Sequence, residues 1–423
     1  MKLFLRTCLL IIGLLFAANL YAQQNTPVPI RVIPVKNKRG DSLVYKRDSV
    51  ISNAKGVEQK DLPDVLDELF NVKPEKKPDT ITSKPSISIV PALGYTLVSR
   101  LAFVLSGNAA FRTGPNSRIS TVVASTAFTE NKQFTLPVSS SIWSRDNKFN
   151  FVGAYRFYKY PQSTFGLGSS SNFKNEDPMD YDYFQFYETA LRHITGNLYL
   201  GAGYILDNRW NISDKGNLDG TVSDYSKYGK QSHSISSGFT LNVLLDTRDN
   251  AINASKGGYF SVQFRDNYEF LGSTRDWSSI IIDARKYYKF PEGSENVLAL
   301  WSYDWLILDG RPAYLELPST EWDAFCATGR GYIQGRFRGA QMVYAEAEYR
   351  YRITANGLLG GVFFVNAESF SAAPGTKLQT IQPGFGPGLR IKINTISKTN
   401  ITVDYGFGRQ GSRGLFIDVG ELF

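Results

Sequence analysis

The residues able to do chemistry are few, and their spacing argues against most of it. His193 and His233 fall at opposite ends of the extended segments that hold them, so they do not meet as a catalytic dyad or a metal pair. Cys326 has no His or Cys near it in the chain to activate it. Residues 406–411 read Gly-Phe-Gly-Arg-Gln-Gly and satisfy Gly-x-Gly-x-x-Gly. A further strand follows them where a nucleotide site needs a helix N-terminus, so the match carries no binding function. Neither a Gly-x-Ser-x-Gly elbow nor a Walker A loop occurs. The expectation is a protein that is not an enzyme and holds no metal or cofactor. The charges that do stand out lie in 342–353, where Tyr344, Glu346, Glu348, Arg350 and Arg352 alternate with Val343, Ala345, Ala347, Tyr349, Tyr351 and Ile353. In a soluble sandwich the apolar face of such a strand is the core and the charges are solvated; in a membrane barrel the charges line the lumen and the apolar face meets lipid.

Composition favours strands. Of 423 residues, 14% are aromatic, with 24 Tyr and 28 Phe against 3 Met. The net charge of +8 is spread along the chain rather than gathered in a patch, and gives no reason to expect a nucleic-acid partner. Residues 1–22 carry Lys2 and Arg6, then an apolar run, then Ala22 before Gln23, the form of a secretory signal peptide. Its removal leaves Cys326 alone and no internal disulfide. Residues 23–85 are rich in proline and read as an extended periplasmic arm. One stretch of the arm differs. Asp61 can cap a helix over 61–72, Pro63 suits its first turn, and Leu62, Val65, Leu66, Leu69 and Phe70 form one apolar stripe. That stripe predicts a plug or docking element. Its acids Asp64, Asp67 and Glu68 complement Arg350, Arg352, Arg390 and Lys392 on the inward faces, which favours insertion into a barrel mouth.

From 86 to 423 the period is two, with no run of apolar residues long enough to span a membrane as a helix. The alternation predicts sixteen strands, an even number, closed as an antiparallel transmembrane barrel. Loop length decides between barrel and sandwich. The long connections 160–182, 208–232, 308–341 and 371–383 all follow odd-numbered strands, whereas connections after even-numbered strands are mostly short. Long loops on one rim and tight turns on the other is the outer-membrane arrangement. The last segment, 414–423, places Leu415, Ile417, Val419 and Phe423 on one face, so Phe423 is expected to point to lipid at the end of the final strand.

Residues 329–339, Gly-Arg-Gly-Tyr-Ile-Gln-Gly-Arg-Phe-Arg-Gly, are followed by Glu346, Glu348 and Arg350 on the next strand. With 245–250 leading to Gly257-Gly258-Tyr259, and 386–390 leading to Asp404-Tyr405-Gly406-Phe407-Gly408, this resembles the BamA/TamA-type outer-membrane assembly barrels, also called the bacterial surface antigen family. The resemblance implies that the long loop folds into the lumen, with Arg330-Gly331-Tyr332 at its tip and Arg330 paired with Glu348, Glu346 also pointing inward. Where the family carries Asp-x-Gly on the thirteenth strand, this chain has Asn366 and Glu368, so the lock is expected to lean on Glu348 and Glu368, with Asn366 accepting a hydrogen bond from Arg330. The alternative is that these charges only line a wet lumen. The resemblance also implies an outer-membrane protein of a Gram-negative bacterium, in contact with outer-membrane lipids, that inserts or translocates outer-membrane polypeptides. Nascent outer-membrane proteins or a periplasmic accessory protein are the expected partners. Residues 23–85 are too few and too proline-rich for the periplasmic domains of that family. A plugged or gated pore, and a structural partner-binding barrel, remain as alternatives.

Overall fold

The computed structural model describes residues 59–70, 83, 85–96, 99–250, 252–323, 326–395 and 398–423, with two short paired strands at Val35–Lys36 and Leu43–Val44. The expected signal peptide and most of the arm lie outside these residues. Sixteen antiparallel strands form a closed barrel. They are β1 (Ser86–Thr96), β2 (Arg100–Arg112), β3 (Ile119–Thr129), β4 (Phe134–Trp143), β5 (Phe149–Lys159), β6 (Asp177–Thr195), β7 (Leu198–Asp214) and β8 (Ser234–Asp246), then β9 (Gly257–Asn267), β10 (Trp277–Lys289), β11 (Val297–Gly310), β12 (Gln341–Arg352), β13 (Leu359–Ser371), β14 (Gln382–Asn394), β15 (Thr399–Phe407) and β16 (Arg413–Val419). Gln162–Thr164 continues the line of β5 along β6. No helix among the described residues is long and apolar enough to cross a membrane.

The wall is inside out relative to a soluble sheet. On β12 the apolar Val343 is 37% exposed while Glu348 is 0% exposed. Phe239 and Leu241 on β8, Phe260 on β9, and Phe363 and Val365 on β13 likewise point outward, and Arg265, Asp283 and Arg285 are buried on the inner face. Near the tight-turn rim, Tyr351 stacks on Phe363 with ring centroids 5.6 Å apart, part of an outward aromatic girdle. Pairing between neighbouring strands satisfies backbone polar groups that would otherwise face hydrocarbon.

The long connections follow β5, β7, β11 and β13, as loop parity requires. Two strands reach further than the alternation suggested: β6 begins at Asp177 and β7 runs to Asp214. Their added stretches carry Asp180, Asp182, Asn208 and Asn211, which read as loop by polarity, yet the backbone ladder continues through Trp210↔Asp182 and Ser213↔Asp180. The hairpin rises past the apolar band into water, where polar side chains cost a strand nothing.

The chain end corrects the expectation for Phe423. The last strand stops at Val419, and Gly420 adopts φ +111, a left-handed conformation that turns the chain inward. Phe423 is therefore in the lumen, 5% exposed, stacked on Trp301 at 5.0 Å and near Tyr287 at 6.3 Å. An aromatic cluster and a guanidinium ready to bond its carbonyl hold it there in preference to lipid.

Orientation is testable at Leu241, at the middle of β8 and 63% exposed. Leu241→Arg should lower the unfolding free energy by about 2–4 kcal/mol, the cost of arginine at a lipid-facing midplane position. The same change at lumen-facing Asn242 should cost much less. Urea titrations in lipid vesicles read both, and equal losses would reverse the assigned faces.

Candidate functional site

The β11–β12 connection, residues 311–340, folds into the barrel instead of standing above it. Arg330, Arg336, Arg338, Tyr314, Tyr332 and Phe337 are among the most deeply buried side chains of the chain. Tyr332 and Phe337 pack with Met342, Tyr344, Phe370 and Trp301 of the wall. The loop is also shaped internally. Arg338 donates to the carbonyls of Tyr314, Leu315 and Leu317 at 3.2–3.4 Å, tying its two arms together.

Arg330 sits at the loop tip with 1% of its side chain exposed. Its Nη2 donates to Glu346 and Glu348 on β12, and its Nη1 to Asp404 on β15 at 2.5 Å. Its guanidinium lies 3.8 Å from the centroid of the Phe364 ring. A planar fork of five donors can bridge three acids this way, and a lysine could not. The sequence brings the acids inward by strand period alone: Glu346 and Glu348 are two apart on β12, and Asp404 has lumen parity on β15.

The tip is seated by backbone contact. Gly331 has φ +109, and a Cβ there would come within 2.8 Å of the Phe407 carbonyl oxygen. On the facing side a Cβ at Gly406 would meet the Gly331 nitrogen at 2.6 Å. Two glycines meeting across loop and wall let Arg330 reach Asp404. The Tyr332 hydroxyl closes the tip, donating to Pro383 O at 2.7 Å and accepting from Arg409 N at 3.0 Å. The Gly-x-Gly-x-x-Gly run at 406–411 thus forms part of the loop's seat.

Two expected partners act differently from their sequence reading. Asn366 donates through Nδ2 to the Arg330 main-chain carbonyl at 3.1 Å; it does not accept from the guanidinium. Glu368 accepts from Thr320 Oγ1 at 3.1 Å and lies beside Gly329, so it holds the loop through a side-chain hydroxyl and takes no part in the Arg330 ion pairs. Asp404, whose charge sequence reasoning left unassigned, takes the third place on Arg330.

The charge cluster extends past the lock. Arg350 bonds Glu348 at 2.6 Å and Glu421 at 3.8 Å. Arg390 bonds Asp404 at 2.5 Å and Glu421 at 2.8 Å. Arg350 also donates to Phe423 O at 3.0 Å. Three guanidiniums and four carboxylates therefore alternate from loop tip to chain end. Arg350 and Arg390 are committed here, which removes two of the four cations expected to receive the arm helix.

Within the expected 61–72 stretch, whose last two residues lie outside the described ones, the helix α1 (Leu62–Phe70) lies at the tight-turn rim. Asp61 N donates to the Asp64 carboxylate at 2.9 Å and Asp64 N to the Asp61 carboxylate at 3.2 Å, a reciprocal capping box. Asp61 also accepts from Thr395 N at 3.0 Å, and Lys60 N donates to Asn356 O at 3.1 Å. Leu62 and Val65 are half-buried, Leu66 lies within the helix, and Leu69 and Phe70 are 68% and 69% exposed. The histidines stay apart: His193 bonds Gly196 O at 2.9 Å and His233 bonds Asn208 Oδ1 at 2.7 Å, at the two rims. Among the described residues no group of three or more His, Cys, Asp or Glu is placed to hold a metal ion.

Residues 122–410 match the Omp85 superfamily domain, more than half of the chain. The chain belongs to the Omp85 superfamily. It is accordingly a BamA/TamA-type barrel of the Gram-negative outer membrane. In fold it is similar to BamA from Haemophilus ducreyi lacking POTRA domains 1-3, with TM-score 0.54 and 13% identity over 80% of this chain and 70% of that one. It is also similar to CdiB from Acinetobacter baumannii, with TM-score 0.50 and 12% identity over 78% of this chain and 59% of that one. No curated protein sequence matches the chain. Within this Omp85 barrel, the 245–250 motif serves the β8–β9 turn: Arg248 pairs with Asp246 at 2.7 Å and lies 4.7 Å from the Tyr259 ring centroid.

Arg330→Ala leaves three buried acids without their shared partner. Breaking a buried pair in a dry site costs about 3–5 kcal/mol, and the compact band seen without heating on gels should disappear at a lower temperature. Arg330→Ala with Glu346→Gln should cost less than the two single changes summed. Strict additivity would mean that these residues do not share an interaction.

Proposed function

We propose that this barrel inserts or translocates outer-membrane polypeptides through the seam between β16 and β1, and that the Arg330 lock governs that seam. The carrying observation is Glu421. It lies two residues beyond β16 and shares Arg350 and Arg390 with the acids that hold Arg330. Loop tip and seam strand therefore belong to one electrostatic unit, and moving either changes the charge balance at the other. The seam strand is also short, at seven residues, against 19 in β6. Few ladder bonds join it, so parting it costs little compared with parting any long pair.

Recruitment falls to α1. It is pinned at its first turn and leaves Leu69 and Phe70 exposed on the periplasmic side, an apolar end suited to an accessory protein or an unfolded client. Membrane lipid and nascent outer-membrane proteins are the other partners of this reading.

The activity is read by adding a urea-unfolded outer-membrane protein to vesicles with and without the reconstituted barrel. Folding should speed up several-fold, and a folded Arg330→Lys variant should lose most of that gain. No acceleration, together with an unchanged outer-membrane protein profile after depletion in cells, would sink the assembly role. Deleting residues 61–70 should abolish recovery of a bound partner or client while leaving the barrel folded; unchanged recovery and unchanged acceleration would reduce the helix to a tether.

A further inference from the structure

The loop leaves part of the lumen unfilled. A cavity of about 660 Å³ remains between Leu315, Glu316 and Trp322 of the loop and the wall strands β3 to β7 and β9 to β11. Sites for small ligands span about 300–1,000 Å³, so the space is of ligand size. Strand period supplies the polar wall: Ser139 and Ser141 take inward positions on β4, Ser279 on β10, and Tyr303 and Trp305 on β11.

The charges around the cavity favour one sign of ligand. Three guanidiniums line it, those of Arg156, Arg209 and Arg265, against the two carboxylates of Asp207 and Glu316, a surplus of one positive charge. Both acids are already engaged. Asp207 accepts from Arg265 at 2.7 Å and from the hydroxyls of Tyr183 and Tyr187 at 2.5 and 2.8 Å, and Glu316 pairs with Arg209. The Arg209 guanidinium is also held between aromatic faces, 4.1 Å from the Tyr183 ring centroid and 5.6 Å from that of Trp322. An incoming cation finds no unshared carboxylate here, whereas an anion meets a positive lining.

Two hydroxyls show what else the occupant must offer. Tyr303 is 6% exposed and Ser279 is 1% exposed, and both line the cavity. Among the described residues neither hydroxyl has a hydrogen-bond partner. Burying a hydroxyl unpaired is costly, and each can both donate and accept, so a ligand rich in hydroxyls satisfies them. They stand at different levels. Ser279 is in register with Ile307, four residues along β11 from Tyr303, which separates the two backbone positions by roughly 13 Å. An elongated ligand of about two rings reaches both.

We propose that the residual cavity binds a short anionic saccharide. The guanidiniums take its phosphate or carboxylate, the Tyr303 and Ser279 hydroxyls bond its ring hydroxyls, and Trp305 and Trp322 give apolar surface to the C–H faces of its rings. The site goes beyond the assembly reading and does not depend on it, since no seam residue lines the cavity.

Calorimetric titration of the full-length barrel in lipid nanodiscs tests the site without any assembly assay. The probes are trehalose 6-phosphate and lactobionate, each against its neutral counterpart, trehalose and lactose. At least one anionic disaccharide should bind saturably, and its neutral counterpart roughly tenfold more weakly. The one that binds tells whether phosphate or carboxylate is preferred. Tyr303→Phe and Ser279→Ala should each weaken that binding by roughly threefold to tenfold, the worth of one hydrogen bond. Both variants should unfold at the wild-type temperature on gels, because neither hydroxyl bonds another group of the protein. Absence of saturable binding by either anion, equal affinity for charged and neutral sugars, or binding untouched by both substitutions overturns the proposal. A lower unfolding temperature that accompanies the lost affinity also overturns it, since the hydroxyls would then serve the fold.

Discussion

A cation inside a barrel must be neutralised by whatever strands surround it, and Arg330 sets this requirement for much of the molecule. Its three acids come from β12 and β15, its aromatic partner from β13, and its position from a loop that leaves β11. The Arg330–Asp404 contact spans 74 residues of sequence, and it is made only when the curvature of the closed wall brings β12 and β15 to face the same tip. The loop is thereby less an appendage than an internal part of the barrel. Wall residues such as Tyr344, whose hydroxyl donates to Glu346, are oriented by that guanidinium in turn.

Much of this was legible because a strand sorts its residues by parity. The alternation in 342–353 places Glu346 and Glu348 inward and Val343 outward without further information, and loop lengths order the strands about the membrane. Arg330 and its β12 partners followed from the resemblance. Asp404 has lumen parity on its strand, but parity gives the face of a residue and not which distant residue stands opposite. Asn366 illustrates the same limit: its inward face was evident, but whether it meets side chain or carbonyl depends on the depth of loop insertion. Glu368 failed for a related reason, as Thr320 reaches it first.

Phe423 and the β6–β7 hairpin fail for different physical causes. The inward turn depends on one backbone torsion at Gly420, and a glycine near a strand end is compatible with either course. The hairpin extension depends on backbone pairing that polar side chains neither advertise nor oppose. Glu316 and Arg209 carry no periodic signal that joins them, being 107 residues apart and on different kinds of element.

The inward chain end has a consequence for the order in which the barrel comes together. Until β16 is laid down, Arg350 and Arg390 lack Glu421, and Trp301 and Tyr287 lack the ring that covers them. Some of the contacts that join the end of the chain to the interior are non-local, Arg350 and Phe423 standing 73 residues apart, the kind that form slowly because the intervening chain must first be confined. The strand thus brings an internal counter-ion and a hydrophobic cap with it, so closing the circumference also completes the interior.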